Sequence, residues 1–305
     1  MTVLVTGARG FIGAALVRRL ATLPGTQVVA LARSRPDDPV DSKIHWVESN
    51  LEDLEPSRWR AAGWPTFDAV IHLAAFTPKS AAMRDHAPEI IAANVIGLQA
   101  LLTSLPNPPG RFIFCSTLDV YARSAFDHVV DERSPVGPAG LYGLSKLLGE
   151  GLVEAYARST RTECLILRLG HVYGPGEERY AKLVPETIRR VLANQPPRIA
   201  GEGSEARDLL YVDDAVEALV RACTRELNGT RIINIARGAS HSILEIVNTI
   251  AAAAGFRGIP ERVPRPGDTY STLFDTSVMN RVLGDWRFVP LTEGLERQIA
   301  HCRHV

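Results

Sequence analysis

The sequence predicts an α/β protein built on a doubly wound parallel sheet, and three observations predict it. Short apolar, β-rich runs recur at Val3 to Thr6, Val28 to Ala32, Ile44 to Glu48, Ala69 to Leu73, Phe112 to Cys115 and Cys164 to Leu167, alternating with helical patterns. That alternation is the mark of repeated β–α–β units with right-handed crossovers. The first run leads directly into three glycines, Gly7, Gly10 and Gly13, and then into a helical pattern through Leu16, Val17 and Leu20. Finally, 305 residues with 46% hydrophobic content can bury a large core as one large domain or two modest ones.

The opening strand, turn and helix form the first element with chemical meaning. Glycine is required where a backbone turns sharply and approaches a pyrophosphate closely, and the amides at the start of the helix then face the phosphate charge. The spacing is Gly-x-x-Gly-x-x-Gly, enclosing Arg9, Phe11 and Ile12, rather than the commoner Gly-x-Gly-x-x-Gly. With a second apolar strand at Gln27 to Ala32, it predicts dinucleotide binding. Ligands of such sheets sit at the carboxyl ends of the strands, where the glycine turn, Ala74-Ala75 and Thr117 project.

The end of the second strand speaks to cofactor choice. An NAD site usually places a carboxylate about twenty residues beyond the glycine turn, to accept from the ribose 2′-hydroxyl. Here that place holds Ala32, followed by Arg33. A guanidinium binds a 2′-phosphate through paired charge-assisted hydrogen bonds, and Arg9 reaches toward the same place, so NADP is favoured over NAD.

Further along, Tyr142 and Lys146 stand four residues apart on a predicted helix and share one face. A free phenol titrates near pH ~10, and a cation held beside it lowers that value, making an acid–base device. After about Gly170 the pattern turns irregular and rich in Pro and Gly, with helices near Ala181 to Ala193 and Asp213 to Thr224. A dinucleotide-binding domain over 1–170 and a mainly substrate-binding domain over 171–305 are expected.

The ordered motifs resemble those of extended short-chain dehydrogenases/reductases acting on nucleotide sugars, a Rossmann-type family. The residues carrying the resemblance are the glycine turn, Asn50-Leu51, His72-Leu73-Ala74-Ala75, Asn94-Val95-Ile96-Gly97 and the run Cys115 to Tyr121. Tyr142 to Lys146, Arg168 to Pro175, Arg207 to Asp214 and Arg265-Pro266-Gly267-Asp268 complete them. The resemblance implies Thr117, Tyr142 and Lys146 as the catalytic group, Thr117 bonding the reacting sugar oxygen and Lys146 also holding the nicotinamide ribose. It implies cofactor contacts from the glycine turn, Asn50, Leu51, Leu73, Ala74, Ala75, Asn94, Tyr142 and Lys146, with Asn50 replacing a common Asp. Arg207 and Arg265 match the arginines that clamp the nucleotide diphosphate. Asp119 and His171, the latter replacing a usual Asn, are further expected substrate contacts. The resemblance also implies that a segment of the second half, near 207–236, returns to the first domain, and that two helices per subunit pair in a dimer, here about Pro88 to Leu105 and Leu141 to Arg158, so a homodimer is expected.

Composition narrows the classes. The chain carries 34 basic and 34 acidic residues and no basic block, which speaks against nucleic acid. Cys115, Cys164, Cys223 and Cys302 lie far apart without metal-type spacing, so reduced thiols and no metal are expected. No signal-peptide pattern and no run near ~18 apolar residues appears, which predicts a cytoplasmic protein without a membrane partner. Among reactions, dehydratases of the dTDP-glucose type carry Asp-Glu after the catalytic Thr, whereas Leu118 holds the first of those places. Loss of that acid disfavours elimination. An NADPH-dependent reductase of a dTDP-4-keto-6-deoxyhexose is the leading expectation. The alternatives are an NAD-dependent UDP- or dTDP-hexose 4-epimerase and a non-catalytic dinucleotide-binding redox sensor, which typically loses the Tyr or Lys present here.

Overall fold

The computed structural model describes residues 1–36, 41–77, 86–227, 229, 231–265 and 270–304. The first half follows the expected alternation: β1 (Thr2–Thr6), α1 (Phe11–Ala21), β2 (Gln27–Ala32), β3 (Ile44–Glu48), α2 (Pro56–Ala61) and β4 (Ala69–His72). Then come α3 (Ala87–Ile91), a π-helical turn (Ala92–Ile96), α4 (Gly97–Ser104), β5 (Arg111–Thr117), α5 (Leu141–Thr160) and β6 (Glu163–Leu169). The second half contains more strands than its sequence suggests: β7 (His171–Tyr173), α6 (Leu183–Leu192), β8 (Arg198–Ala200), β9 (Ala206–Tyr211), α7 (Val212–Thr224) and β10 (Ile232–Ile235). It closes with β11 (Ser240–Ser242), α8 (Ile243–Ala254), β12 (Glu261–Val263), α9 (Ser277–Leu283) and α10 (Leu291–Cys302).

The central sheet has seven strands in the order β10-β6-β5-β4-β1-β2-β3, all paired parallel. Strand order reverses between β1 and β4, the switch point at which a doubly wound sheet opens a crevice. Alternation along each strand divides the core. Val3, Val5, Val28, Ala30, Ile113 and Cys115 face one side, with α1 and α7. Leu4, Val29, Leu31, Phe112 and Phe114 face the other, with Trp59, Leu98, Leu101 and Val153. Each Val, Leu, Ile or Phe among them contributes about 1.5–3 kcal/mol on burial, which makes register a strong constraint.

Of the expected return segment, α7 and β10 join the large sheet system, β10 pairing with β6. Strand β9 instead lies between β7 and β11 in a separate three-stranded sheet, and β8 pairs with β12. The apolar core continues from α1 and α7 into α6, α8 and α10 through Ile188, Ile246, Ile250, Leu295 and Ile299. One expectation about hydrophobic length is corrected. The helical run Ala87–Ser104 spans 18 residues with mean hydropathy 1.2, enough by length and composition to cross a membrane. Here Ile90, Leu98 and Leu101 are buried in the core, and a π-helical turn with a buried Asn94 interrupts the run.

Candidate active site

A cleft of about 1700 Å³ runs along the carboxyl edge of the sheet, bounded by the glycine turn, the β4 and β5 ends, the start of α5, β7 and the segment before α6. Gly7 adopts φ +68°, and a Cβ there would lie 2.7 Å from the Ala74 nitrogen. A Cβ on Gly13 would lie 2.1 Å from the Gly7 carbonyl oxygen. The turn is therefore made of bare backbone at both places, and α1 begins against it. Gly10 N–H donates to the Gly7 carbonyl at 2.8 Å, closing the turn. The β4 end is tied to it by Thr6, whose hydroxyl accepts the Ala74 N–H at 3.3 Å and bonds His72 Nδ1 at 2.8 Å. Burial lowers His72 to about 3, so its ring is neutral.

Gly7, Arg9, Gly10, Phe11, Ile12, Gly13, Arg33, Asn50, Leu51, Leu73, Ala74 and Ala75 all line the cleft. Arg9 is anchored across the β2 end: its Nη1 donates to Ser34 Oγ and to the Arg35 carbonyl at 3.2 Å. Arg33 beside it is exposed. Asn50 donates to Asp53 Oδ2 at 2.9 Å. Asn94 departs from its expected place against a cofactor. It is 2% exposed, accepts the Phe76 N–H at 2.7 Å, and donates to the Phe76 carbonyl at 3.1 Å and Ser145 Oγ at 3.0 Å. Its amide ties the β4 loop to α5, and it is not part of the cleft wall.

Thr117 closes β5 and caps a short 3₁₀ turn, Leu118–Val120. Its hydroxyl accepts the Asp119 N–H at 3.3 Å and donates to Asp119 Oδ2 at 3.2 Å. Tyr142 and Lys146 rise from the first two turns of α5, which lies close because Gly143 packs on the Asp119 carbonyl and Gly149 on the Phe114 ring. Thr117, Asp119, Tyr142, Lys146, His171 and Arg207 all face the one cleft.

The electrostatics differ from the expected pairing. Burial, and then the Asp119 carboxylate, push the Tyr142 phenol above its ordinary value, with hydrogen bonding to Thr77 opposing them. The Lys146 Nζ lies 4.2 Å from the centre of the Phe114 ring, and burial lowers its ammonium to about 8 while Cys115 and Glu150 oppose that shift. The phenol thus holds its proton, whereas the sequence suggests a lowered Tyr. Asp119 is also raised by burial, against hydrogen bonding to Thr117. Cys115 is pushed up to about 12 and is an unreactive thiol. Burial, with Arg207 and Lys182 nearby, lowers His171 to about 3, leaving a neutral ring.

Arg207 Nη1 donates to the Ala206 and Tyr270 carbonyls at 2.9 and 2.6 Å, and its guanidinium lies 5.2 Å from the Tyr270 ring centre. Arg265, the expected second clamp, is ion-paired with Glu205 and lies outside the cleft wall; Pro266, Gly267 and Asp268 fall outside the described residues. The cleft also gathers Arg123, Glu177, Arg179, Tyr180, Lys182 and Tyr270, which the sequence does not single out. Lys182 pairs with Glu177 at 3.2 Å, and burial raises Glu177 to about 7. The one available signal was the cluster of charges directly after Gly174-Pro175, which has no periodicity to place it.

Comparison with known proteins gives a consistent picture. Residues 3–236 match the model of the NAD dependent epimerase/dehydratase family. A dTDP-4-dehydro-6-deoxy-D-allose reductase of Streptomyces bikiniensis is 30% identical over 99% of this chain and 96% of its own. A UDP-glucose 4-epimerase of Mycolicibacterium smegmatis is 30% identical over 100% of this chain and 99% of its own. Among solved structures, a Bacillus cereus UDP-glucuronic acid 4-epimerase variant, in complex with a fluorinated UDP-glucuronic acid and NAD, superposes with a TM-score of 0.88 at 26% identity, covering 100% of this chain and 99% of that one. MoeE5 in complex with UDP-glucose and NAD gives 0.85 at 32% identity, covering 100% and 99%.

Proposed function

The chain belongs to the NAD-dependent epimerase/dehydratase family, and from that membership we propose a nucleotide-sugar ketoreductase, reducing C4 of a dTDP-4-keto-6-deoxyhexose with NADPH. The observation that carries this reading is one continuous cleft joining the bare-backbone glycine turn to Thr117, Tyr142, Lys146 and Arg207. The turn fits a dinucleotide, because the missing Cβ atoms let Gly7 pack on Ala74 and Gly13 on the Gly7 carbonyl, which holds the tight turn and the amides at the start of α1 at the cleft. Bound there, the dinucleotide supplies the hydride that adds to the sugar carbonyl carbon.

The protein's part is proton delivery and placement. Tyr142 Oη donates its proton to the C4 oxygen, a role suited to a phenol held in its neutral form. The Thr117 hydroxyl turns from Asp119 to the same oxygen and fixes its direction. Lys146, still charged below about pH 8, stabilises the phenolate left behind and holds a ribose hydroxyl. Arg207 receives the diphosphate, with Lys182 and Arg179 also lining the cleft. Leu118, 3% exposed in an apolar cluster, offers no acid for an elimination, which supports simple reduction over dehydration.

NADPH over NADH is favoured by Arg9 braced on Ser34 with Arg33 beside it, and by Ala32 in place of a carboxylate. A second reading, 4-epimerisation with tightly held NAD, is favoured by the epimerases among the similar structures. The two separate in one preparation. NADPH absorbance that falls on adding a dTDP-4-keto-6-deoxyhexose supports reduction; NAD extracted from the purified protein, with no net NADPH oxidation, supports the epimerase. Exposed Ile96, Leu144 and Leu148 on the π-helical turn and α5 support a homodimer through those helices.

A further inference from the structure

The last polar row of the sheet has a role that its stability alone does not explain. Ser116, Arg168 and Asn234 are in register across β5, β6 and β10. They stand directly beyond the apolar row Phe114, Ile166 and Ile232, on the face covered by α5. Glu150, two helical turns after Tyr142 and one after Lys146, drops onto this row. Its Oε1 accepts from Ser116 Oγ at 2.5 Å and Arg168 Nε at 3.0 Å, and its Oε2 from Arg168 Nη2 at 2.7 Å. Glu150 and Arg168 are each 4% exposed and neither lines the cleft. The Arg168 guanidinium in turn lies 4.9 Å from the Tyr121 ring centre, and Tyr121 Oη donates to Asn234 Oδ1 at 2.6 Å.

A buried ion pair is a poor device for stability, since desolvation consumes most of its Coulomb gain and apolar replacements often serve as well. It is a good device for holding parts in register. We infer that Glu150 is the positioning residue of this active site: its carboxylate locks the helix carrying Tyr142 and Lys146 to the strand carrying Thr117, and is the counter-charge one turn from the Lys146 ammonium.

The groups facing Lys146 are Cys115 of β5, His72 of β4 and Glu150 of its own helix. Cys115 is an un-ionised thiol and His72 a neutral ring over the working range. Glu150 is therefore the carboxylate that favours the charged amine, against the burial that lowers it to about 8. Removing that charge moves Lys146 further down, so the amine loses its proton at a lower pH.

This inference rests on the proposed roles of Tyr142 and Lys146, and its test separates the two. Glu150→Gln/Arg168→Gln removes both charges and leaves no uncompensated ion. Glu150→Asp keeps the charge but withdraws it from Ser116 by one methylene. Both are compared with the wild type in kcat and KM for a dTDP-4-keto-6-deoxyhexose with NADPH across pH, with NADPH affinity as the measure of a folded site. Lys146 is titrated separately by NMR of labelled lysines, which needs no turnover. The double variant is expected to bind NADPH within about threefold of wild type and to keep its KM. Its kcat at pH 8 falls about tenfold or more, and its alkaline limb and Lys146 titration both move down, by less than loss of Glu150 alone would give because the Arg168 charge leaves with it. Glu150→Asp is expected to lose about tenfold in kcat with the limb in place. An unmoved Lys146 titration in the double variant, or wild-type kcat in Glu150→Asp, overturns the inference. Wild-type protein that binds NADPH and reduces no 4-keto sugar refutes the proposed function instead, while the NMR titration still decides the charge coupling. If the double variant does not fold, Glu150→Asp alone decides the positioning role by its kcat.

Discussion

Cofactor selection offers the sharpest perturbation of the proposed chemistry. A 2′-phosphate carries between one and two negative charges, and each guanidinium bonded to it contributes about 1.5–3 kcal/mol. Arg9 and Arg33 are both exposed, so the lower end applies, about 1.5 kcal/mol or tenfold in Kd each before ordering costs. Arg9 is already held by Ser34 and the Arg35 carbonyl, and little further side-chain entropy is lost when it binds. An unbraced Arg33 gives up about 1 kcal/mol of rotamer freedom. Arg9→Ala should therefore weaken NADPH about tenfold and Arg33→Ala about threefold, while NADH affinity changes less than twofold. Fluorescence titration of both dinucleotides at low and high salt measures this, and the NADPH preference should shrink as salt screens it. Equal losses for NADPH and NADH would refute a 2′-phosphate site at the β2 end.

Three further outcomes follow from the geometry. Tyr142→Phe should reduce kcat by about 10²–10⁴ with dinucleotide affinity unchanged, measured by parallel turnover and titration; full activity would remove Tyr142 from the mechanism. Gly13→Ala places a Cβ 2.1 Å from a backbone oxygen that cannot yield. The start of α1 must shift, and NADPH affinity should fall at least tenfold while thermal unfolding drops by about 1–3 kcal/mol. Leu148→Glu, at a side chain 48% exposed, should give a monomer by light scattering if α5 forms the dimer contact, and an unchanged mass would place the contact elsewhere.

How far the fold was legible follows from where the information lies. Strands β1, β2, β4, β5 and β6 of the large sheet were readable because they lie inside it, covered on both faces, and carry long apolar runs, while edge strand β3, which buries no residue fully, was readable from Ile44, Trp46 and Val47. The seventh, β10, is only Ile232–Ile235 and is set beside β6 by tertiary pairing. The glycine turn was legible since its requirement is local: a backbone conformation and two close approaches. Asn94 and Arg265 were read as ligand contacts by position in a motif, yet Asn94 spends its amide on Phe76 and Ser145 and Arg265 its guanidinium on Glu205. Those partners lie 18, 51 and 60 residues away, beyond the reach of local spacing. The sign of the Tyr142 shift was unreadable for the same reason, because desolvation depends on what the fold places around the ring.

That sign bears on the choice between reduction and epimerisation. A reductase begins with a proton on Tyr142 and gives it away, so its rate needs the phenol neutral and Lys146 charged. The phenol is held above its ordinary value, and Lys146 is lowered to about 8. Reduction should therefore run on a plateau through neutrality and decline as pH rises through about 8, with no acid limb from His171, whose ring charges only near pH 3. An epimerase begins instead by removing a proton from the C4 hydroxyl, so a phenol held protonated limits it and its rate should climb as the solution becomes alkaline. Initial rates across pH at saturating cofactor distinguish these by slope alone. A rate of 4-keto reduction that rises steadily above pH 8 would show that Lys146 need not be charged, and would remove the electrostatic basis for Tyr142 as the proton donor.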